Sequence, residues 1–587
     1  MFPSTPSARH APSLRVCCPG PAWRAFLAAA LLLLSGACRS GGQDRSANVP
    51  DSPATGPTAD QVAAAEKSIR DEDLARRVQE LSADRMQGRL PGTVGEERAT
   101  AYIESAFKDA GLRPANGLSY FQAVPLVGIT ADPSMSLAIS GHGGKKALAY
   151  RKDFMAVTTR EQKAIRASGE MVFVGYGTTA PEFGWDDYKG VDLTGKILVM
   201  LVNDPPLPDA SRFGGKRMTY YGRWTYKYET GARKKAAGVI LVHQTEAAGY
   251  PWGVVASSWS GEQFVPARSD HGASRLPFES WITHQAAAEL FRMAGMDLAE
   301  QERRAASDTF RPLPLGLEAS LSFTNTIRRI QSRNVAGLLP GSDLADQWIV
   351  YTAHWDHLGV SDPVDGDAIY NGAFDNATGV SSLVALAKAF ASLPVPPRRS
   401  ILFLAVTAEE QGLIGSYHYA DHPLHPLSRT VALINMDGMN VYGRTKDVIV
   451  IGLGNTTLDD LITEIAARSG RHVTPDMEPE KGFYYRSDQF PFAKQGVPAL
   501  YIDHGIEYVG RPDGWGMEQN ARYTAERYHK PSDEFDPAWD FGGMAEDTRL
   551  LFRVGARVAQ DDAIPQWKPG TEFKAVREQS LAGDAGR

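Results

Sequence analysis

The sequence predicts an α/β protein: a mostly parallel central sheet flanked by helices, with a second, β-rich module inserted into it. Three observations carry that expectation. After Asn334, short apolar runs at Trp348–Thr352, Ser400–Val406, Val431–Asn435, Val448–Ile451 and Ala499–Ile502 alternate with helical stretches such as 379–393. These runs are apolar at nearly every position instead of every second one, the pattern of strands covered on both faces. From about Lys163 to Phe310 the texture changes to β-rich segments set among turns rich in Gly and Pro.

Taken in chain order, residues 1–38 read as an export signal. The first 24 residues carry Arg9, Arg15 and Arg24 and no acid, and an apolar run follows from Ala25 to Leu34. That run is about half the ~20 residues a membrane-spanning helix needs. Ser35-Gly36-Ala37-Cys38 resembles a bacterial lipobox, which implies cleavage before Cys38 and a lipid on its thiol; Ser35 stands where Leu is commoner. The plainer alternative is a secretory signal cut near Ala37. Either way the expectation is an exported protein, lipid-anchored in a bacterial cell envelope or else secreted, touching membrane only through that anchor.

Residues 39–59, rich in Gly, Ser, Pro, Asp and Asn, read as a flexible tether. Residues 60–150 form the first part of the main domain, with one helix around Leu74, Val78 and Leu81 and another around Ala101–Phe107, separated by the turn Leu90-Pro91-Gly92. Residues 151–316 form the inserted module, with strands at Val172–Gly177, Ile197–Val202 and Gly238–His243. Residues 317–566 complete the main domain, and 567–587 form a C-terminal tail. A chain of 587 residues exceeds the roughly 250–300 at which one core stops growing, so more than one domain is required.

Composition narrows the chemistry. A net charge of -7 offers no basic field for polyanions, which argues against nucleic-acid partners. Cys17, Cys18 and Cys38 all precede the folded body, so any metal there must sit on nitrogen and oxygen.

In an open sheet, ligands gather at the carboxyl ends of strands, and the polar residues follow that rule. The run ending at Thr352 leads into Ala353-His354-Trp355-Asp356-His357, where Asp356 is placed to accept the second N–H of a ligating His354. His357 reads as an ordinary surface or hydrogen-bonded histidine. In Asn371-Gly372-Ala373-Phe374-Asp375-Asn376, Asp375 sits just ahead of a helix, where it either serves two cations or caps that helix. Thr407-Ala408-Glu409-Glu410 puts paired acids at a third position, so that one can bind metal while the other moves a proton. Met436-Asp437-Gly438 adds a carboxylate, and Tyr528-His529-Lys530 adds a histidine far downstream.

These residues, in this order over about Asn334 to Asp536, resemble the co-catalytic zinc exopeptidases of the bacterial secreted leucine aminopeptidase, aminopeptidase Y and glutamate carboxypeptidase type. Leu81-Ser-Ala-Asp-Arg-Met-Gln-Gly-Arg-Leu-Pro-Gly92 resembles that family's start. Trp185-Asp-Asp-Tyr188 and Leu193-Thr-Gly-Lys196 resemble the protease-associated domain that several of its members carry as an insertion. The resemblance implies the zinc exopeptidase fold and two Zn2+, one on His354, Asp375 and Asp437 and the other on Asp375, Glu410 and His529. Glu409 becomes the general base for peptide hydrolysis. Tyr528, next to His529, is a candidate donor to the oxyanion, with an ordinary core tyrosine as the equal alternative. Arg486 is a candidate for a substrate carboxylate, with an ordinary salt bridge as the plainer expectation. Two positions depart from the pattern: Phe374 replaces a frequent Asp, and Gln489 replaces a frequent His, which puts substrate contacts there in doubt. His422 and His425 match no family ligand and read as loop residues. The reading is an aminopeptidase; the alternatives are a carboxypeptidase of the same family and, from another class, a non-catalytic binding ectodomain that would have lost ligands or base. A third relative, glutaminyl cyclase, is a transferase working with one zinc; the complete five-ligand set and the inserted module argue against it.

Overall fold

The computed structural model describes residues 56–142, 144–207 and 212–585. The expected signal, lipobox and nearly all of the tether lie outside the described residues. Among the described residues no helix is long and apolar enough to cross a membrane.

The main sheet is parallel at its centre and antiparallel toward its edges. Four consecutive strands, Arg399–Val406, Leu344–His354, Thr430–Asn435 and Ala499–His504, run in parallel register. Asp447–Ile451 then pairs antiparallel with the last of these and His472–Pro475 parallel with it in turn. Every residue of Arg399–Val406 and Thr430–Asn435 is buried, as strands covered on both faces must be. The helix Thr378–Ala391, expected over 379–393, is buried along nearly its whole length and packs between the sheet and the helices Asp71–Leu81 and Gly542–Gln560.

On the other edge lies the 27-residue strand Leu313–Leu339, which the sequence does not announce. Its second half pairs with Phe121–Ala131 and Arg399–Val406 in the main sheet. Its first half pairs with Ser136–Gly141 and Ala164–Phe173 in a second sheet. One strand therefore belongs to two sheets. The second sheet also contains the parallel strands Ile197–Leu201, Gly238–His243 and Glu279–Thr283, and it packs on aliphatic and aromatic clusters separate from the main core. Because it includes Ser136–Gly141 and Gly144–Ala149, this sheet begins ahead of residue 151. The strand expected over 172–177 ends at Phe173, because Gly175 and Gly177 take φ of 59° and 60° and turn the chain. The C-terminal segment is not a loose tail: Trp567 and Arg577 are 3% exposed, and Arg577 donates to the carbonyls of Leu427 and Thr430.

Glu279, at the head of a buried strand, is 8% exposed, and among the described residues only Thr159 Oγ1 donates to it, at 3.4 Å. Burial pushes its pKa up to about 7 against an ordinary 4.5. A carboxyl that holds its proton more tightly in the folded state loses stability as pH rises between those two values. Glu279→Gln is therefore expected to leave the melting temperature unchanged at pH 4 and to raise stability at pH 8 by up to about 3 kcal/mol, read by thermal denaturation at both pH values.

Candidate active site

Three of the four parallel central strands deliver functional groups from their carboxyl ends. His354 is the last residue of Leu344–His354, Glu409 and Glu410 follow Arg399–Val406 by three and four residues, and Asp437 follows Thr430–Asn435 by two. Asp375 comes from the tight turn Ala373–Ala377 after Gly372, whose φ is 59°; a Cβ there would lie 2.3 Å from the Asp375 carbonyl. His529 sits with φ of 56° in the turn after the helix Trp515–Glu526.

These side chains converge. His354 Nε2 lies 3.2 Å from Asp437 Oδ1 and 3.3 Å from Asp375 Oδ1. His529 Nε2 lies 3.3 Å from Asp375 Oδ2 and 3.0 Å from Glu410 Oε2. Asp375 thus turns one oxygen to each histidine. It does not cap the following helix; Asn376 does, with Oδ1 accepting from Gly379 N at 2.9 Å. Glu409 stands beside this group, its Oε2 4.0 Å from His354 Nε2.

Asp356 takes a different role from the expected one. Its carboxylate is 3.9 Å from His354 Nδ1, and the nearer acceptor is its backbone carbonyl at 3.2 Å. The carboxylate instead accepts from the backbone N–H groups of Glu409 at 3.1 Å and Glu410 at 3.4 Å, so it holds the acidic pair in place. Burial pushes its pKa up to about 7.

Several contributors escape the sequence. His357 is fully buried, with Nδ1 2.6 Å from Glu410 Oε1, and is grouped with Asp375 and Glu410 as a potential ligand. It is hydrogen-bonded, as expected, but at the site and not on the surface. Asp533 accepts from the backbone of Phe374 and Asp375, both at 3.1 Å, and fixes the turn that presents Asp375. Arg89, 1% exposed, donates to the carbonyls of Leu81, Trp355, Asn371 and Gly372, tying together the loops that carry His354 and Asp375. Tyr501, on the strand Ala499–His504, feels the charges of Asp437, Glu409 and Asp375; burial first, and these carboxylates after it, raise its pKa well above the ordinary value.

Of the remaining expectations, Tyr528 is 40% exposed with its ring stacked on His529 at 3.9 Å. Arg486 makes no salt bridge among the described residues; its guanidinium donates to Ala248 O at 3.1 Å and lies over the rings of Tyr250 and Phe483. Gln489 is fully buried and internally committed, donating to Tyr484 O at 2.6 Å and accepting from Asn435 at 2.9 Å, so it faces no substrate. Phe374 turns its ring against Tyr523 at 4.4 Å. His425 stacks on Trp348 and His422 on His418, away from the cluster.

Five carboxylates, those of Asp356, Asp375, Glu409, Glu410 and Asp437, gather around the three imidazoles of His354, His357 and His529. Burial pushes the Glu409 pKa well above its ordinary value, opposed by His354 and reinforced by Asp437 and Glu410. Anions crowd in this way only where cations offset them. Two sets of nitrogen and oxygen donors joined by one carboxylate fit divalent metal, and the donor types suit zinc.

The chain is also similar to known proteins. Residues 334–550 match the model of Peptidase family M28. Aminopeptidase NAALADL1 of Mus musculus is 33% identical over 129 residues, which cover 21% of this chain and 16% of that protein. Aminopeptidase YwaD of Bacillus subtilis (strain 168) is 36% identical over 221 residues, 37% of this chain and 41% of its own. The matched stretches span less than half the length of either relative. The solved structure of an aminopeptidase from Aneurinibacillus sp. strain AM-1 aligns over 85% of this chain and 95% of its own at 21% identity, with a TM-score of 0.49.

Proposed function

We propose that this chain, whose residues 334–550 match the model of Peptidase family M28, is a zinc-dependent aminopeptidase that removes N-terminal residues from peptides. The observation that carries the reading is Asp375, with one oxygen 3.3 Å from His354 and the other 3.3 Å from His529. A carboxylate so placed between two imidazoles suits a pair of metal ions. His354, Asp375 and Asp437 would hold one zinc, and Asp375, Glu410 and His529 the other; His357, on the free side of Glu410, orients that ligand.

Zinc bound by these residues supplies a Lewis acid and acidifies water. Glu409, held through its backbone by Asp356 and bound to neither metal in this assignment, accepts the water proton and returns it to the leaving amine. Tyr528, rigid against His529 and partly exposed, donates to the oxyanion. The amino-terminal preference is supported by two relatives that are named aminopeptidases. Peptides are the partners; nucleic acid is not, and contact with membrane runs only through a lipid on Cys38 in a bacterial envelope.

The test is hydrolysis of matched peptides with free or acetylated amino termini, before chelation, after it, and after zinc return. Cleavage of the free-amine peptides alone, abolished by chelation and restored by zinc, is the expected result. Equal cleavage of the acetylated series removes the aminopeptidase assignment, and activity that survives chelation removes the metals.

A further inference from the structure

Glu409 depends on its backbone for its aim. Its carboxylate accepts no hydrogen bond among the described residues and stands 4.0 Å from His354 Nε2. Glu410, by contrast, is gripped by His357 Nδ1 at 2.6 Å and His529 Nε2 at 3.0 Å. The turn beneath the pair is strained: Ala408 and Leu413, on either side of it, take φ of 53° and 61°, a left-handed conformation costly for a residue with a Cβ. Such backbone persists only where its surroundings over-determine it. Inside the turn, Leu413 N donates to Glu409 O at 2.9 Å and Ile414 N to Ala408 O at 3.0 Å. Asp356 fixes its start through the N–H groups of Glu409 and Glu410.

The far end of the turn is fixed from a different quarter. The strand Glu262–Pro266 lies in the stretch expected as the inserted module, yet it pairs antiparallel with Phe121–Ala131 as an outer strand of the main sheet. An outer strand leaves the N–H groups on its free side without a ladder partner. The Phe264 N–H meets the side chain of Gln411 instead, donating to Oε1 at 3.2 Å. Phe264, 3% exposed, also shares one apolar cluster with Ala408 and Ile414, so it underlies both ends of the turn. The strand is itself anchored. Glu262 accepts from Arg328 Nε at 2.6 Å and Nη2 at 2.7 Å, its carboxylate passing over Gly128, where a Cβ would lie 1.9 Å from Oε1.

We propose that Phe264 and Gln411 are positioning residues for Glu409: the strand Glu262–Pro266 sets the turnover rate by holding the turn on which the base stands, without touching substrate. The inference rests on the peptidase reading above. A proton acceptor displaced by a fraction of an ångström loses rate steeply. Glu410 keeps its own contacts to His357 and His529 when the turn loosens, so rate and metal content separate. The stretch expected as an insertion thereby takes a part in the chemistry itself.

The test uses the zinc-loaded full chain and Leu p-nitroanilide. Gln411→Met keeps the length of the side chain and removes the acceptor; Phe264→Ala removes the ring, and Phe264→Leu returns most of the apolar volume. Gln411→Met is expected to lower kcat about tenfold, the size of effect one hydrogen bond confers on a barrier, with KM within about twofold and zinc per chain unchanged. Phe264→Ala should lower kcat at least as far, and Phe264→Leu should recover it to within about threefold of wild type. A double-mutant cycle decides between positioning and bulk stability. In a Glu409→Gln background, Gln411→Met is expected to change the residual rate by less than about twofold, because the group whose place it sets is gone. A residue that only stabilises the fold would cost the same factor in both backgrounds. Hydrogen exchange gives a readout independent of turnover: the amides of 409–413 are expected to exchange at least about tenfold faster in Gln411→Met, with those of Thr430–Asn435 unchanged. Undiminished kcat in both Gln411→Met and Phe264→Ala, an equal loss in the two backgrounds, or a loss that follows zinc out of the protein overturns the proposal. Wild type that cleaves no Leu p-nitroanilide overturns the peptidase reading instead, and exchange at the turn then decides alone whether the strand holds it.

Discussion

Glu409→Gln is expected to lower kcat by about 10³-fold while the protein keeps its full metal content. The side chain is 11% exposed and reaches the metal-ligand group from one side, 4.0 Å from His354 Nε2. Its backbone is anchored by Asp356. Gln preserves shape and that anchor but cannot accept a proton, so only the proton transfer is removed. Glu410→Gln provides the contrast. Glu410 Oε2 lies 3.0 Å from His529 and Oε1 2.6 Å from His357, so neutralising it should reduce bound zinc as well as rate. Zinc per chain by elemental analysis, set against kcat on an aminoacyl p-nitroanilide, separates the two variants. A Glu409→Gln protein with undiminished kcat would strip Glu409 of its role; one that had lost zinc would make it a ligand.

What could be read beforehand divides along a physical line. His354, Glu409, Glu410 and Asp437 are legible because each follows a continuous apolar run, and a parallel sheet brings the ends of such runs to one edge. Asp375 and His529 lie in loops, and their place was implied by family resemblance and not by local pattern. The residues that escaped act through backbone groups distant in sequence. Arg89 donates to carbonyls as far away as Gly372, and Asp533 accepts from Phe374 and Asp375, bonds that no local spacing reveals. The plainer expectation for Arg486, a salt bridge, is not met among the described residues, where its guanidinium finds a carbonyl and two rings. Gln489 stands where a His is frequent, which left substrate contacts there in doubt; the Asn435 amide behind it claims its carbonyl. In the fold, the strand Leu313–Leu339 went unseen because its middle, Thr324–Arg333, is polar and half exposed where it crosses from one sheet to the other.

Asp375→Asn should cost more than the loss of the base, because it acts on both metal positions at once. Asp375 turns Oδ1 to the His354 group and Oδ2 to the His529 group, and its backbone N–H is fixed by Asp533 at 3.1 Å. Asn keeps the backbone bond and the side-chain volume, so the turn is expected to survive while the shared negative charge disappears. An amide oxygen can still approach one ion, but its nitrogen is a donor and repels the second. The predicted outcome is one zinc per chain or fewer and kcat at least about 10⁴-fold down, below the Glu409→Gln protein, which still positions both ions. Stability carries the same signal. Ligands that bind only the folded state raise stability by about 4 kcal/mol at a thousandfold excess over Kd, so zinc should raise the wild-type melting temperature and raise that of Asp375→Asn far less. Should the variant retain two zinc ions and the full melting shift, the two sites would not depend on a common carboxylate, and each would have to be built from Glu410, Asp437 and the three histidines His354, His357 and His529 alone.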